Sequence, residues 1–189
     1  MDFRDIVVDT GRLRLRRYQD SDFEAMAGMH ARPDVVRFLP WEVRDRRASR
    51  EAFERHLDTR LDVEGDGVTL AAIEKGSGAF VGESVLFLRS VQHRTGEVGY
   101  IVHPDFTGRG YATEGARAML RIGFEQVKLH RVVGRLDARN EPSARVLAKL
   151  GMRKEAHFVR NEELKGEWTD EVVYALLAEE WMRGESHAQ

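Results

Sequence analysis

Between the apolar pair Ile101-Val102 and a long amphipathic run lies the segment HPDFTGRGYATE, residues 103–114, with glycines at Gly108 and Gly110. A strand, a two-glycine loop and a helix start, in that order, suit an anion. The first N–H groups of a helix have no partner within it, and the helix dipole places partial positive charge at the same end. Glycine lets a ligand approach the backbone closely. The spacing is not that of a Walker A loop, which needs a lysine after its second glycine. Nor is it a full dinucleotide fingerprint, because Thr113 stands where the third glycine belongs. Taken alone, the loop is equally a plain helix entry. A second polar group follows in NEPSARVLAKLG, residues 140–151. There Asn140 and Ser143 sit at a helix start, and Arg145 and Lys149 lie one helical turn apart. Upstream, Glu97 lies in the strand that feeds the loop and offers a carboxylate for proton transfer.

Several other chemistries are excluded. With no cysteine in 189 residues there is no disulfide framework, thiolate metal site or cysteine nucleophile. The seven histidines show no ligand spacing, so no metal is predicted. No serine sits in a nucleophile-elbow motif. The formal net charge of −2 argues against bulk electrostatic binding of nucleic acid or an anionic membrane. That balance is local rather than uniform: residues 103–160 carry 12 basic and 6 acidic side chains, while residues 20–66 and 161–189 are acidic. A polyanionic small ligand at 103–160 would account for the bias. The N-terminus lacks the apolar region of a signal peptide, and no apolar stretch approaches the ~18 residues needed to span a bilayer, so a cytoplasmic setting is expected.

The elements that must position these residues follow from periodicity. Leu13-Arg14-Leu15-Arg16 alternates as a half-exposed strand. Asp20 and Asp22 precede Phe23, Met26, Ala27 and His30 at helical spacing, and residues 46–63 predict a second helix. Val68 to Ile73 and Ala79 to Leu88 predict a hairpin around Gly76-Ser77-Gly78, and residues 96–102 another strand. Ala112, Ala116, Met119, Leu120, Gly123 and Phe124 share one helix face. Val132 to Leu136 predicts a strand, Asn140 to Gly151 a short helix, and Val159 and Glu171 to Leu177 two closing strands. The expectation is a single α/β (α+β) domain over residues 1–189, with a core at about 11–181 and a mixed, mostly antiparallel sheet.

The glycine loop, followed by Val132 to Leu136 and by Asn140 to Met152, resembles the GNAT superfamily of acyl-CoA-dependent N-acyltransferases. It is most similar to the ribosomal-protein N-terminal acetyltransferase (RimJ/RimL-type) branch. Supporting similarity lies in Leu13 to Arg16, in Glu97 to Tyr100, and in Trp168 to Asp170 with Tyr174. The resemblance implies about seven strands splayed at the middle and about four helices. It implies acetyl-CoA as co-substrate, with its arm bonded by Ile101, Val102, His103 and Asn140. Its pyrophosphate would be cradled by Gly108, Arg109, Gly110, Tyr111, Ala112 and Thr113. Arg139, Arg145 and Lys149 are candidates for the 3′-phosphate. Ser143 would hydrogen-bond the leaving sulfur, and Glu97 is the candidate base.

Two positions depart from the family pattern. Asp105 stands where Gln or Arg is usual, and Leu147 where a tyrosine commonly acts as acid. The expected activity is direct transfer of acetyl from acetyl-CoA to a primary amine, a protein N-terminus or a small amine, in a ternary complex. Tyr100 and Tyr111 are further hydroxyl donors, read first as packing residues. Phe38 to Trp41 are candidates to line the acceptor site, and a homodimer is plausible. Leu147 keeps open a non-catalytic CoA-binding sensor, and the loop keeps open a dinucleotide-binding enzyme.

Overall fold

The computed structural model describes residues 3, 5–57 and 60–186. Its strands are β1 (Val7–Asp9), β2 (Leu13–Arg16), β3 (Gly67–Glu74), β4 (Phe80–Ser90), β5 (Thr95–Val102), β6 (Arg131–Asp137), β7 (Arg153–Leu164) and β8 (Glu167–Leu177). The helices are α1 (Phe23–His30), α2 (Pro33–Val36), α3 (Arg46–His56), α4 (Tyr111–Arg121), α5 (Glu141–Lys149) and α6 (Ala178–Ser186). The strands form one sheet in the order β1-β2-β3-β4-β5-β6-β8-β7. All neighbours are antiparallel except β5 and β6. The strand beyond the expected seven is β1, whose three residues are too few to display a period. Helix α3 ends at His56 instead of running to residue 63.

Alternation along the strands separates two cores. Leu13 and Leu15 of β2 are fully buried and pack with Leu86, Val98, Ala116, Met119 and Leu120 beneath α4. On the opposite face Tyr18, Phe23, Met26, Phe53 and Ala71 pack under α1 and α3. Successive side chains of a strand point to opposite faces. Val98 and Tyr100 therefore face α4, and Glu97, Gly99 and Ile101 face the other way.

The one parallel pairing is short. It joins Thr95, Gly96 and Glu97 to Arg131, Val132 and Val133, and stops there. Beyond it β5 continues along β4 to Val102 and β6 continues along β8 to Asp137, so a gap opens between them. Both strands run toward this gap, and each feeds a helix whose start lies beside it. Carboxyl ends of parallel strands with helix N-termini around them form the usual ligand crevice of such sheets.

Candidate active site

A groove of about 570 Å³ occupies the gap. Tyr100, Ile101, Val102, Gly108, Gly110, Tyr111, Ala112, Thr113, Asn140, Ser143, Arg145 and Lys149 all line it. Twelve residues singled out in the sequence are thus brought together. Among the described residues, no amide from Gly108 to Thr113 donates to a protein acceptor; the first helical bond of α4 is Glu114 N–H to the Gly110 carbonyl. Gly108 and Gly110 have φ of 75° and 84°, a region that favours glycine and lets the loop turn its amides outward together.

The backbone of β5 divides its labour by position. His103 N–H donates to the Val81 carbonyl at 2.9 Å, toward β4. A Cβ on Gly82 would lie 2.1 Å from the Ile101 carbonyl oxygen, so that carbonyl also points toward β4. Backbone groups alternate sides along a strand. Val102 and Tyr100 therefore present theirs to the gap, while Ile101 contributes its side chain and the His103 amide is already used. Of Ile101, Val102 and His103, expected to bond the arm, Val102 is thus the one whose backbone is turned to the gap. The His103 ring accepts from Asp105 N–H at 3.3 Å, and Asp105 is largely exposed, outside the groove. Arg109 stacks over Phe106 rather than lining the groove. Arg139 faces away, forked onto Asp137 and bonded to Glu167 beside a separate small cavity.

At the start of α5 the Asn140 side chain caps the helix by accepting from Ser143 N–H at 3.2 Å. Ser143 Oγ lies 2.9 Å from the Tyr100 hydroxyl. Burial pushes the Tyr100 phenol up to about 12, so it remains protonated. Leu147 is buried and packs over Gly134. The Tyr100 hydroxyl also donates to the Ser143 carbonyl at 3.1 Å, so β5 brings a hydroxyl to the start of this helix, where position 147 has none.

A second cavity, a trough of about 670 Å³, lies on the face carrying Glu97, over the half of the sheet that α1 and α3 leave uncovered. Phe38 lines both cavities, and Pro40 lines the trough. Glu97 stands in the trough, not the groove. Its carboxylate accepts from Arg89 Nε at 2.9 Å and lies 3.7 Å from Arg135 Nε. Glu171 is bonded to Arg135 and Asn161. The Glu162 carboxylate has no side-chain partner among the described residues. Desolvation, with the neighbouring charges of Glu171, Glu97 and Asp137, raises its pKa above the ordinary glutamate value against the pull of Arg135. Sequence spacing could not single it out, because it emerges from a β7 bulge between Phe158 and Glu162.

The buried half of the same face holds a different carboxylate. Glu83 accepts from the Tyr18 hydroxyl and contacts His30 Nε2 at 3.3 Å, and Arg44 bonds His30 Nδ1 at 2.9 Å. Burial would raise its pKa, but the bond to His30, the nearby charge of His56 and the Tyr18 hydroxyl lower it to about 2.

Residues 12–153 match the acetyltransferase (GNAT) domain model. The chain belongs to the GNAT acetyltransferase family. It is 30% identical over 175 residues to the Bacillus subtilis protein named uncharacterized N-acetyltransferase YnaD, covering 92% of this chain and 98% of that one. A solved GNAT-family acetyltransferase from Bacillus anthracis superposes with a TM-score of 0.83 at 30% identity, over 92% of this chain and 99% of that one. The [ribosomal protein uS5]-alanine N-acetyltransferase of Escherichia coli is 29% identical over 87 residues, 46% of this chain and 45% of its own. The chain is therefore an N-acetyltransferase by family, and its family uses acetyl-CoA. No described helix is long and apolar enough to cross a membrane.

Proposed function

We propose that the protein transfers acetyl directly from acetyl-CoA to a primary amine in a ternary complex. The reading rests on one observation: Phe38 lines both the groove and the trough, so a thioester held in one and an amine held in the other would be neighbours across it. The amides of Gly108 to Thr113, which donate to no protein acceptor among the described residues, suit the pyrophosphate, and Arg145 and Lys149 suit the 3′-phosphate. The Val102 N–H faces the gap, where it would polarise the thioester carbonyl and stabilise the oxyanion.

The chemistry balances with groups at hand. The amine arrives mostly as ammonium and loses a proton to a carboxylate, directly or through water. Its nitrogen attacks the carbonyl carbon, the C–S bond breaks, and the products are an amide and the CoA thiol. Ser143 donates to the leaving sulfur, with the Tyr100 hydroxyl behind it. For the base we favour Glu162 over Glu97, its neighbour in the lining of the trough. Its carboxylate is free and raised, whereas Glu97 is held by Arg89, with Arg135 close by. Glu97 then shapes the field of the trough.

The trough mixes carboxylates with arginines, and the unpaired carboxylate of Glu162 among them suits an amine acceptor, either a protein N-terminus or a small amine. A ribosomal-protein N-terminus is favoured by the likeness to the Escherichia coli enzyme. The test is release of free thiol from acetyl-CoA across a panel of amines and N-terminal peptides, with mass analysis of the product. Turnover with at least one amine supports the reading. Tight CoA binding without turnover across the panel would support a sensor instead.

A further inference from the structure

Arg12 lies in the turn between β1 and β2, nearly a hundred residues before the glycine loop, yet its side chain ends against that loop. Its NH1 donates to the Arg109 carbonyl at 2.7 Å. Its Nε and NH2 fork onto Glu114 Oε2 at 2.8 and 2.7 Å, and its backbone N–H donates to Glu114 Oε1 at 2.7 Å. Thr10 Oγ1 adds a bond of 2.6 Å to the same carboxylate. The guanidinium also stacks over the Tyr111 ring at 4.7 Å, and Tyr111 is tied by its hydroxyl to Glu74.

Glu114 sits in the first turns of α4, where a free carboxylate would repel a phosphate. Against the raising effect of burial, the bonds from Thr10 and Arg12 hold its pKa below the ordinary value, and all of them draw the carboxylate toward the β1–β2 turn. The bond to the Arg109 carbonyl has a more specific consequence. A trans peptide is planar, with its C=O and N–H pointing in opposite directions. Drawing the Arg109 oxygen toward Arg12 therefore turns the Gly110 N–H away from Arg12, into the groove that Gly110 lines. Of the two dihedrals that flank this peptide, φ belongs to Gly110, a positive-φ glycine with wide freedom, and Gly108 lies one residue before. Among the described residues, the Arg109 carbonyl accepts from Arg12 and from no group of the loop itself.

We infer that Arg12 is a positioning residue for acyl-donor binding, one that orients the 109–110 peptide so that its N–H serves the pyrophosphate. The inference rests on the acetyl-CoA reading above. It is tested by titrating CoA into the wild type, Arg12→Gln and Arg12→Lys, and by comparing steady-state rates with acetyl-CoA and with a short acetyl thioester that lacks the nucleotide. Losing the fork weakens CoA binding and raises the KM for acetyl-CoA by about tenfold, the worth of one well-oriented hydrogen bond with its neighbours. The acceptor KM stays put, and the rate with the short thioester is the same in all three proteins. Lysine fails to rescue, because it restores charge but not a fork that reaches both Glu114 and the Arg109 carbonyl.

Full rescue by Arg12→Lys overturns the inference in favour of simple charge. Equal losses with both donors overturn it in favour of a general structural defect. Unchanged CoA affinity in Arg12→Gln overturns it outright. Should Arg12→Gln fail to fold, the comparison of Arg12→Lys with the wild type carries the same test. If the wild type itself fails to bind CoA, it is the underlying reading that falls.

Discussion

Glu83 and Glu162 are carboxylates on one sheet, each with basic or acidic company, and they have opposite fates. Helices α1 and α3 cover the half of the sheet that holds Glu83. A carboxylate buried there is costly without partners, and Tyr18, His30 and, through His30, Arg44 provide them. Among the described residues no helix covers the half that holds Glu162, and its carboxylate has no hydrogen-bond partner, standing among Glu171, Glu97 and Asp137 with Arg135 nearby. Cover turns a carboxylate into a structural tie, while an open trough leaves one available for proton transfer. The direction of each pKa records the difference: Glu83 is lowered to about 2 and Glu162 is raised.

The largest expected effect comes from breaking the buried tie. Glu83→Ala strands His30 and the Tyr18 hydroxyl in the core and costs about 3 kcal/mol or more, read as a fall in Tm and in the urea midpoint. The pH dependence follows from the sign of the shift. A depressed carboxyl contributes stability that is full above the ordinary glutamate pKa and is lost as pH falls toward about 2. The stability gap between wild type and Glu83→Ala should therefore narrow as the solution is acidified, and a gap independent of pH would contradict the assignment.

Glu162→Gln reverses the pattern. Because ionised Glu162 is disfavoured in the fold, its removal is neutral or slightly stabilising at pH 7, within about 0.5 kcal/mol. The same change lowers kcat/KM for the amine by about a hundredfold, the usual worth of a general base. In the wild type the acid limb of kcat/KM should lie above the ordinary glutamate range, and it should disappear in the variant. Ser143→Ala comes next, with kcat down about tenfold and little change in the KM for acetyl-CoA, as for one lost transition-state hydrogen bond. Glu97→Gln is the smallest of the set, about threefold in kcat/KM with the pH profile retained. A larger loss there than in Glu162→Gln would return the base to Glu97.

The groove was far more legible in the sequence than the trough. Gly108, Gly110, Asn140 and Ser143 are read directly because each does its work through local geometry, a positive φ or a helix start, which a few consecutive residues encode. The gap between β5 and β6 was legible only through family resemblance. Which backbone groups face it depends on how β5 registers against β4, so Ile101 and His103 could not be told from Val102 in advance. Arg139 looked like any other base near the loop, and its partners Asp137 and Glu167 come from two different strands. Glu162 and Arg12 act across the fold, through a bulge and through a turn about a hundred residues away from its target. No local pattern carries either.

Only three residue pairs join β5 to β6, Thr95 to Glu97 against Arg131 to Val133. The sheet is thus two panels stitched along a short seam, with β1 to β5 on one side and β6 to β8 on the other. Beyond the seam the amides of Val102 and Tyr100 face the gap instead of a neighbouring strand, and they should exchange with deuterium sooner than those deeper in either panel. A ligand lying in the seam would act as a ninth strand, lending the panels a common edge and making them unfold together.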